Sequence, residues 1–243
     1  MSGTKVITIL GGSGYVGSKC ISTLLKNVKD VKIYAVSRSG KVNFQDERVE
    51  GVKGDCLNPA TFEDVIKKST GFIHAIGVLF TNDNNKYMLM NKETCLRVAK
   101  IANEANKTVK PNMVYVSASR GIPFPLSLKY HGYIESKREC EKALKENFQN
   151  LNPIILRPGF VKSTEKWWTV PIYHSVGAAE LAERHLLNKL SPTFGEKLQL
   201  PSKGIELDAL ANFASAGALG LLTPGETYDN DFMNNMDNLV NLH

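Results

Sequence analysis

Long apolar runs are missing from this 243-residue chain. No stretch approaches the roughly 18 unbroken apolar residues that a membrane span requires. The most apolar region, Leu207 to Leu222, is broken by Asp208, Asn212, Ser215, Gly217 and Gly220 and reads as a buried or half-buried helix. Cysteine is scarce. Cys20, Cys56, Cys95 and Cys140 have spacings that suit neither a metal site nor a disulfide framework, so reduced thiols in an intracellular compartment are expected. His74 and His174 have no partner at metal-ligand spacing, so no metal is expected, and His74 sits in an apolar run where a hydrogen-bonded core histidine belongs. The first residues show no secretory signal and no Arg-rich amphipathic leader, which leaves an organelle open. There is no internal repeat.

A net charge of +6 favours acidic partners such as phosphorylated cofactors or anionic lipids. The lysines are spread along the chain, however, as on a solvated basic face, and no nucleic-acid partner is expected. Hydrophobic content of 42% in a chain of this length suits one sizeable core, hence a single domain over 1–243 with 160–243 as a small appended region.

Short apolar runs alternate with helix-length amphipathic segments, the pattern of a mostly parallel sheet covered by helices on both faces. Strands are expected at Val6–Leu10, Lys32–Ser37, Val49–Gly54, Phe72–Ile76, Met113–Ser117 and Pro153–Arg157. Helices are expected near Tyr15–Leu25, Pro59–Lys67, Asn91–Asn106, Gly132–Glu146, Val176–Lys189 and Glu206–Leu222. The fold class is therefore α/β, a Rossmann-type doubly wound sheet of order 3-2-1-4-5-6. Phe160–His174, with Trp167 and Trp168, reads as a loop or lid, and the Asn-rich tail from Thr223 as an extended or disordered arm.

The first strand runs into Gly11-Gly12-Ser13-Gly14-Tyr15-Val16-Gly17. Gly11 allows the tight turn, Gly14 lets the backbone approach a diphosphate, and Gly17 lets the helix pack close to the sheet. The helix start then offers unpaired N–H groups and partial positive charge to the phosphates. Position at a strand-to-helix junction is the context this motif needs. The second strand ends in Ser37-Arg38-Ser39-Gly40-Lys41, with no acid to hold a ribose 2′-hydroxyl. Arg38, with Ser37, Ser39 and Lys41, makes a plausible 2′-phosphate pocket, which points to NADP, with NAD as the alternative. By topology, Asp55 and Cys56 follow the third strand near the adenine position, and Gly77 and Val78 follow the fourth.

Gly132-Tyr133-Ile134-Glu135-Ser136-Lys137 places a Tyr and a Lys four residues apart, on one face of a helix. A nearby ammonium favours the phenolate and so lowers the Tyr pKa towards the range useful for proton transfer. Together, the glycine loop, Tyr133-Ile134-Glu135-Ser136-Lys137 and Arg157-Pro158-Gly159 resemble the short-chain dehydrogenase/reductase superfamily, in its extended or atypical branch, over Lys5 to Phe160. Within it, residues 36–41, 133–139 and 156–160 are similar to the fungal mitochondrial dehydrogenase-like protein of coenzyme Q biosynthesis and to a related accessory subunit of respiratory complex I.

That resemblance implies Tyr133 and Lys137 as catalytic pair, with a Ser after the fifth strand binding the substrate oxygen. Ser119 fits that spacing better than Ser117. It also implies that Lys137 hydrogen-bonds the nicotinamide ribose and that Arg157 lies near the nicotinamide, although Arg157 suits a structural tie equally well. The implied setting is the matrix side of the mitochondrial inner membrane, in a protein complex, with the cytoplasm as alternative. Three functions follow: an NADP-dependent oxidoreductase on a small or lipophilic carbonyl compound, a cofactor-binding silent subunit, and a nucleotide-sugar epimerase or reductase.

Overall fold

The computed structural model describes residues 4–79, 81, 83–105, 109–119, 131–162 and 204–236. The six expected parallel strands are present: β1 (Lys5–Leu10), β2 (Val31–Ser37), β3 (Val49–Lys53), β4 (Gly71–His74), β5 (Asn112–Val116) and β6 (Asn152–Arg157). Between them lie α1 (Tyr15–Asn27), α2 (Glu63–Lys68, entered through a 3₁₀ turn at Pro59–Phe62), α3 (Asn84–Tyr87), α4 (Thr94–Ala105) and α5 (His131–Asn147). A π-helical turn, Met88–Glu93, joins α3 to α4.

The strands carry apolar residues at successive positions because each buries both faces. Ile7, Ile9, Ile33, Ala35, Ile73, Val114 and Ile154 line one core, and Leu10, Val36, Phe72, Met113, Tyr115 and Ile155 line the other. Cys95, Val98, Ala99 and Ala102, the stripe expected on α4, are wholly buried in the second core. All four cysteines are buried and free of disulfides.

The sheet runs β3-β2-β1-β4-β5-β6 in parallel register, for example Ile7↔Ile33, Ile9↔Ile73 and Val114↔Ile154. The strand order reverses between β1 and β4, and in such sheets the ligand crevice lies there, beyond the carboxyl ends of the strands. After β6, Val161–Lys162 (β7) pairs with Ile205–Glu206 (β8), so the predicted loop contributes a short strand at its start. Trp167, Trp168, His174 and the helix expected at Val176–Lys189 lie outside the described residues. The helix α6 (Leu207–Leu219) has ten buried residues and ends at Gly220, whose φ is +84°.

The tail corrects the sequence reading. Thr227–Asp229 (β9) adds a seventh parallel strand beside β6, and α7 (Asn230–Met236) follows, with Asn230 and Met233 buried. Asp229 caps α7 by accepting the Phe232 N–H at 2.8 Å, and Tyr228, Phe232 and Phe213 form a ring cluster. Elements this short show no periodicity, and their asparagines look like linker.

The packing of α6 on the sheet depends on Gly71 and Gly217. A Cβ at Gly71 would fall on the Ala218 carbonyl, and one at Gly217 would come within 2.8 Å of Val114 Cγ2. Gly71→Ala is expected to cost about 1–3 kcal/mol in urea unfolding, as overpacking does. Gly225 has positive φ but open space around it, so Gly225→Ala is expected to cost only about 1 kcal/mol from backbone strain. Equal costs would contradict the close approach at Gly71.

Candidate functional site

The turn after β1 is made by glycine and the ligand donors come from the helix behind it. Gly11 adopts φ +89°. The N–H groups of Gly11 and Gly12 both donate to Val36 O (2.9 and 3.1 Å), and Gly14 N–H donates to Gly11 O at 2.9 Å. A Cβ at Gly12 would come within 2.7 Å of the Ala35 methyl, and one at Gly17 would land on the Gly11 carbonyl. The glycine amides thus close the turn. The first intrahelical bond runs from Ser18 N–H to Gly14 O (2.9 Å), so the N–H groups of Tyr15, Val16 and Gly17 belong to the helix end, ahead of the regular ladder. Ser13 and Gly14 are exposed beside them, and the first turn of α1 holds no acid. This is a cradle for an anion such as the diphosphate of a dinucleotide. Gly12 was overlooked in the sequence reading; the Gly-Gly doublet was its signal.

The other predicted cofactor residues lie at or just beyond the carboxyl ends of β2, β3 and β4. Ser37 closes the turn at the end of β2, accepting Gly40 N–H at its Oγ (3.1 Å), and the exposed Arg38 makes no ion pair with a described residue. Asp55 is exposed after β3 and accepts Leu57 N–H at 2.9 Å. The Cys56 thiol is buried in the core, where burial pushes its pKa up to about 12, so only its backbone remains for a ligand. Gly77 lies over the catalytic candidates: a Cβ there would come within 2.9 Å of Asn91 Oδ1 and 3.3 Å of Lys137 Nζ.

Lys137 is buried, donates to Val116 O at 2.8 Å, and stands 4.8 Å from the centre of the Tyr115 ring. Burial lowers its pKa to about 8. Tyr133 lies one turn earlier on α5, edge-on to Tyr87 with 6.1 Å between ring centres. Its phenol is pushed up to about 12, chiefly by burial, while the charge of Arg138 acts in the opposite direction. The cation felt at Tyr133 is therefore Arg138, where the sequence reading placed Lys137, because the Lys137 ammonium is turned to the Val116 carbonyl.

Asn91, on the π-helical turn, was not singled out from sequence. It is wholly buried, accepts Val78 N–H at 2.7 Å, and donates to Val78 O and Ser136 Oγ, both at 3.2 Å. Tyr115 donates its hydroxyl to Asn91 O. A polar residue on the same helical stripe as Cys95 and Val98 was the available signal. His74 is buried and neutral, its pKa lowered to about 3 by burial and by the Lys137 charge, and it bonds Thr94 Oγ1 through Nε2 at 3.0 Å. Among the described residues its Nδ1 has no partner, so the expectation of a hydrogen-bonded core histidine holds at one nitrogen.

The two serines differ. Ser117 donates to the buried carboxylate of Glu141, and Ser119, half-buried, fixes its backbone N–H on Pro158 O at 2.7 Å. Glu141 also binds Arg138 Nη1 and Arg157 Nη2, each at 2.5 Å, and Arg138 Nη2 reaches Ala118 O at 2.9 Å. Of the two roles left open for Arg157, the structure displays the tie, from β6 to α5. With Lys137 on Val116 O, the segment from Val116 to Ser119 is pinned residue by residue beside the helix carrying Tyr133. Arg120 to Tyr130, between Ser119 and that helix, lie outside the described residues.

A glycine turn at the switch point of a parallel sheet of this order is the mark of a Rossmann dinucleotide-binding fold. The family model described as NAD(P)H-binding matches residues 11–174, more than half of the chain, and the chain belongs to this family. MIOREX complex component 2 of Saccharomyces cerevisiae is 25% identical over 205 residues, covering 64% of this chain and 72% of that protein. An uncharacterized chloroplastic protein of Arabidopsis thaliana is 27% identical over 163 residues, and the match covers 66% of this chain and 52% of that protein, about half its length. Among solved structures, WbmF of Bordetella bronchiseptica in complex with NAD+ superposes with a TM-score of 0.63 at 16% identity, over 98% of this chain and 79% of that one. The aldohexose dehydrogenase of Thermoplasma acidophilum gives 0.63 at 13% identity, over 93% and 92%. These two likenesses are of fold alone.

The burial of Lys137 has a measurable consequence. The folded protein releases the Lys137 proton near pH 8 and the unfolded chain near its ordinary value of 10.5, so between these the unfolded state binds more protons and stability rises with pH. Urea unfolding of wild type and Lys137→Met is expected to show the wild type gaining on the variant across this window, by on the order of 3 kcal/mol in all. A difference that does not change with pH would place the ammonium in water.

Proposed function

We propose that this protein is an NADP(H)-dependent carbonyl oxidoreductase acting on a small or lipophilic carbonyl compound. One observation carries the reading: a buried lysine beside Gly77, bonded to the Val116 carbonyl and one helical turn from Tyr133, at the ends of the strands whose first turn presents the anion cradle. When bound, a nicotinamide would supply or accept hydride at the substrate carbon.

The protein's own groups do the rest. The N–H groups of Tyr15, Val16 and Gly17 hold the diphosphate, Ser37 and Arg38 the adenosine ribose and its 2′-phosphate, and Asp55 with the Cys56 backbone borders the adenine. Gly77, having no side chain, leaves room above Lys137 for the nicotinamide ribose. Ser119 holds the carbonyl oxygen. Tyr133, kept as a neutral phenol by burial, gives its proton to that oxygen, which suits the reducing direction. Lys137, turned to the Val116 carbonyl beside Gly77, is placed to bond the nicotinamide ribose, and solvent returns the proton to Tyr133.

A second reading is a cofactor-binding accessory subunit without catalysis. It is favoured by the Lys137 ammonium bonded to Val116 O and by the yeast relative's name as a complex component. A setting in an organelle, and within it the mitochondrial quinone-synthesis assembly implied by residues 36–41, 133–139 and 156–160, belongs to either reading. The chloroplastic relative supports the organelle, and co-purification with quinone-synthesis enzymes from mitochondria tests the assembly.

Two variants test the assignment. Tyr133→Phe is expected to lower NADPH-dependent carbonyl reduction by about 100-fold or more while NADPH affinity stays within about twofold. Equal loss of both would contradict the roles, and a wild type that binds NADPH yet reduces no carbonyl compound would favour the silent subunit. Arg38→Ala is expected to weaken NADPH by about tenfold and to leave NADH nearly unchanged, measured by calorimetry. An unchanged preference would remove Arg38 from the site.

A further inference from the structure

The turn after β2 lies on β3, and two glycines make that possible. Gly40, at φ +68°, is so close to Lys53 that a Cβ on it would come within 2.9 Å of Lys53 N and 3.0 Å of Lys53 Cβ. A Cβ on Gly51 would fall on the Gly40 carbonyl and within 3.3 Å of Val42 Cγ2. Residues 40–42 are thereby laid flat along the end of β3.

Register then fixes what shares the face. Ala35 pairs with Gly51 and Ser37 with Lys53, and partners in a parallel ladder project to the same side. Gly12 of the phosphate turn is seated on Ala35 on that side, and Ser37 Oγ accepts Gly40 N–H there. The side chain of Lys53 thus leaves the sheet on the face that carries the phosphate turn and the Ser37–Lys41 turn.

Charge pairing singles out the same spot. Lys32 is paired with Glu50 at 3.2 Å and Arg48 with Asp46 at 2.8 Å. Asp55 is engaged with the Leu57 N–H. Arg38, Lys41 and Lys53 are all exposed and pair with no acid among the described residues. Three exposed cations with no ion-pair partner among the described residues, around a turn built from two serines, suit a dianion.

We propose that Lys53 is a specificity-determining residue, the third arm, with Arg38 and Lys41, of a site for the adenosine 2′-phosphate of NADP(H). This rests on the NADP(H) reading above and adds a residue from a different strand to it.

Calorimetry on the intact protein with adenosine 2′,5′-bisphosphate and adenosine 5′-monophosphate isolates the 2′-phosphate from nicotinamide and from catalysis. Wild type is expected to bind the bisphosphate about tenfold more tightly than the monophosphate or better. Lys53→Met is expected to weaken the bisphosphate about five- to tenfold, to leave the monophosphate within about twofold, and to be rescued by Lys53→Arg. If Arg38→Met loses the bisphosphate and Lys53→Met does not, the Lys53 role is overturned and the NADP(H) reading stands. If wild type does not distinguish the two probes, the NADP(H) reading falls and Lys53 with it. If Lys53→Met weakens both probes equally, Lys53 only shapes the turn, which also overturns the proposal.

Discussion

The structure depends on how closely α1 approaches the end of β1. Gly17 sits where any side chain would strike the Gly11 carbonyl, and Gly12 sits where one would strike Ala35. These absences of side chain set the helix start directly behind the turn, at the carboxyl end of β1. Gly11 is itself wedged against Ala75 and Ile76, the residues that leave β4. A few tenths of an ångström at these positions therefore decide whether the anion cradle and the strand ends beyond it form one continuous site.

Beyond the cradle the site is held by polar groups placed inside a core, at a cost that has to be met locally. Lys137 loses hydration and recovers one carbonyl hydrogen bond and the face of Tyr115. Glu141 is buried against two guanidinium groups and the Ser117 hydroxyl. Asn91 meets Val78 and Ser136 on one side while its carbonyl receives Tyr115. Each satisfied group ties one element to another: β5 to α5, β6 to α5, and the segment after β4 to the π-helical turn. The network leaves little freedom to the positions of Ser119, Tyr133 and Lys137, and π-helical turns recur where such placement matters.

Much of this was legible from residues alone. The unbroken apolar runs of β1, β4, β5 and β6 announced strands buried on both faces, and the glycine spacing announced the turn that follows the first. What was not legible has physical causes. β9 and α7 are too short to display a period, and Tyr228 and Phe232 show their role only once they meet Phe213. Glu141 resembles any charged residue of α5, since its partners Arg157 and Ser117 arrive from β6 and from the end of β5. The Tyr133–Lys137 spacing was plain, but the direction in which the ammonium points is decided by the Val116 carbonyl, which no helical pattern reveals. Lys53 was invisible for the same reason: its neighbour Ser37 is set by sheet register.

The central claim is that the N–H groups at the start of α1 receive a dinucleotide diphosphate. The most direct measurement is NMR observation of the backbone amides of the folded protein during titration with NADPH. Saturable shifts at Tyr15, Val16 and Gly17 at one equivalent are the predicted result. Unchanged amides at those residues with both NADPH and NADH present in excess would contradict the account.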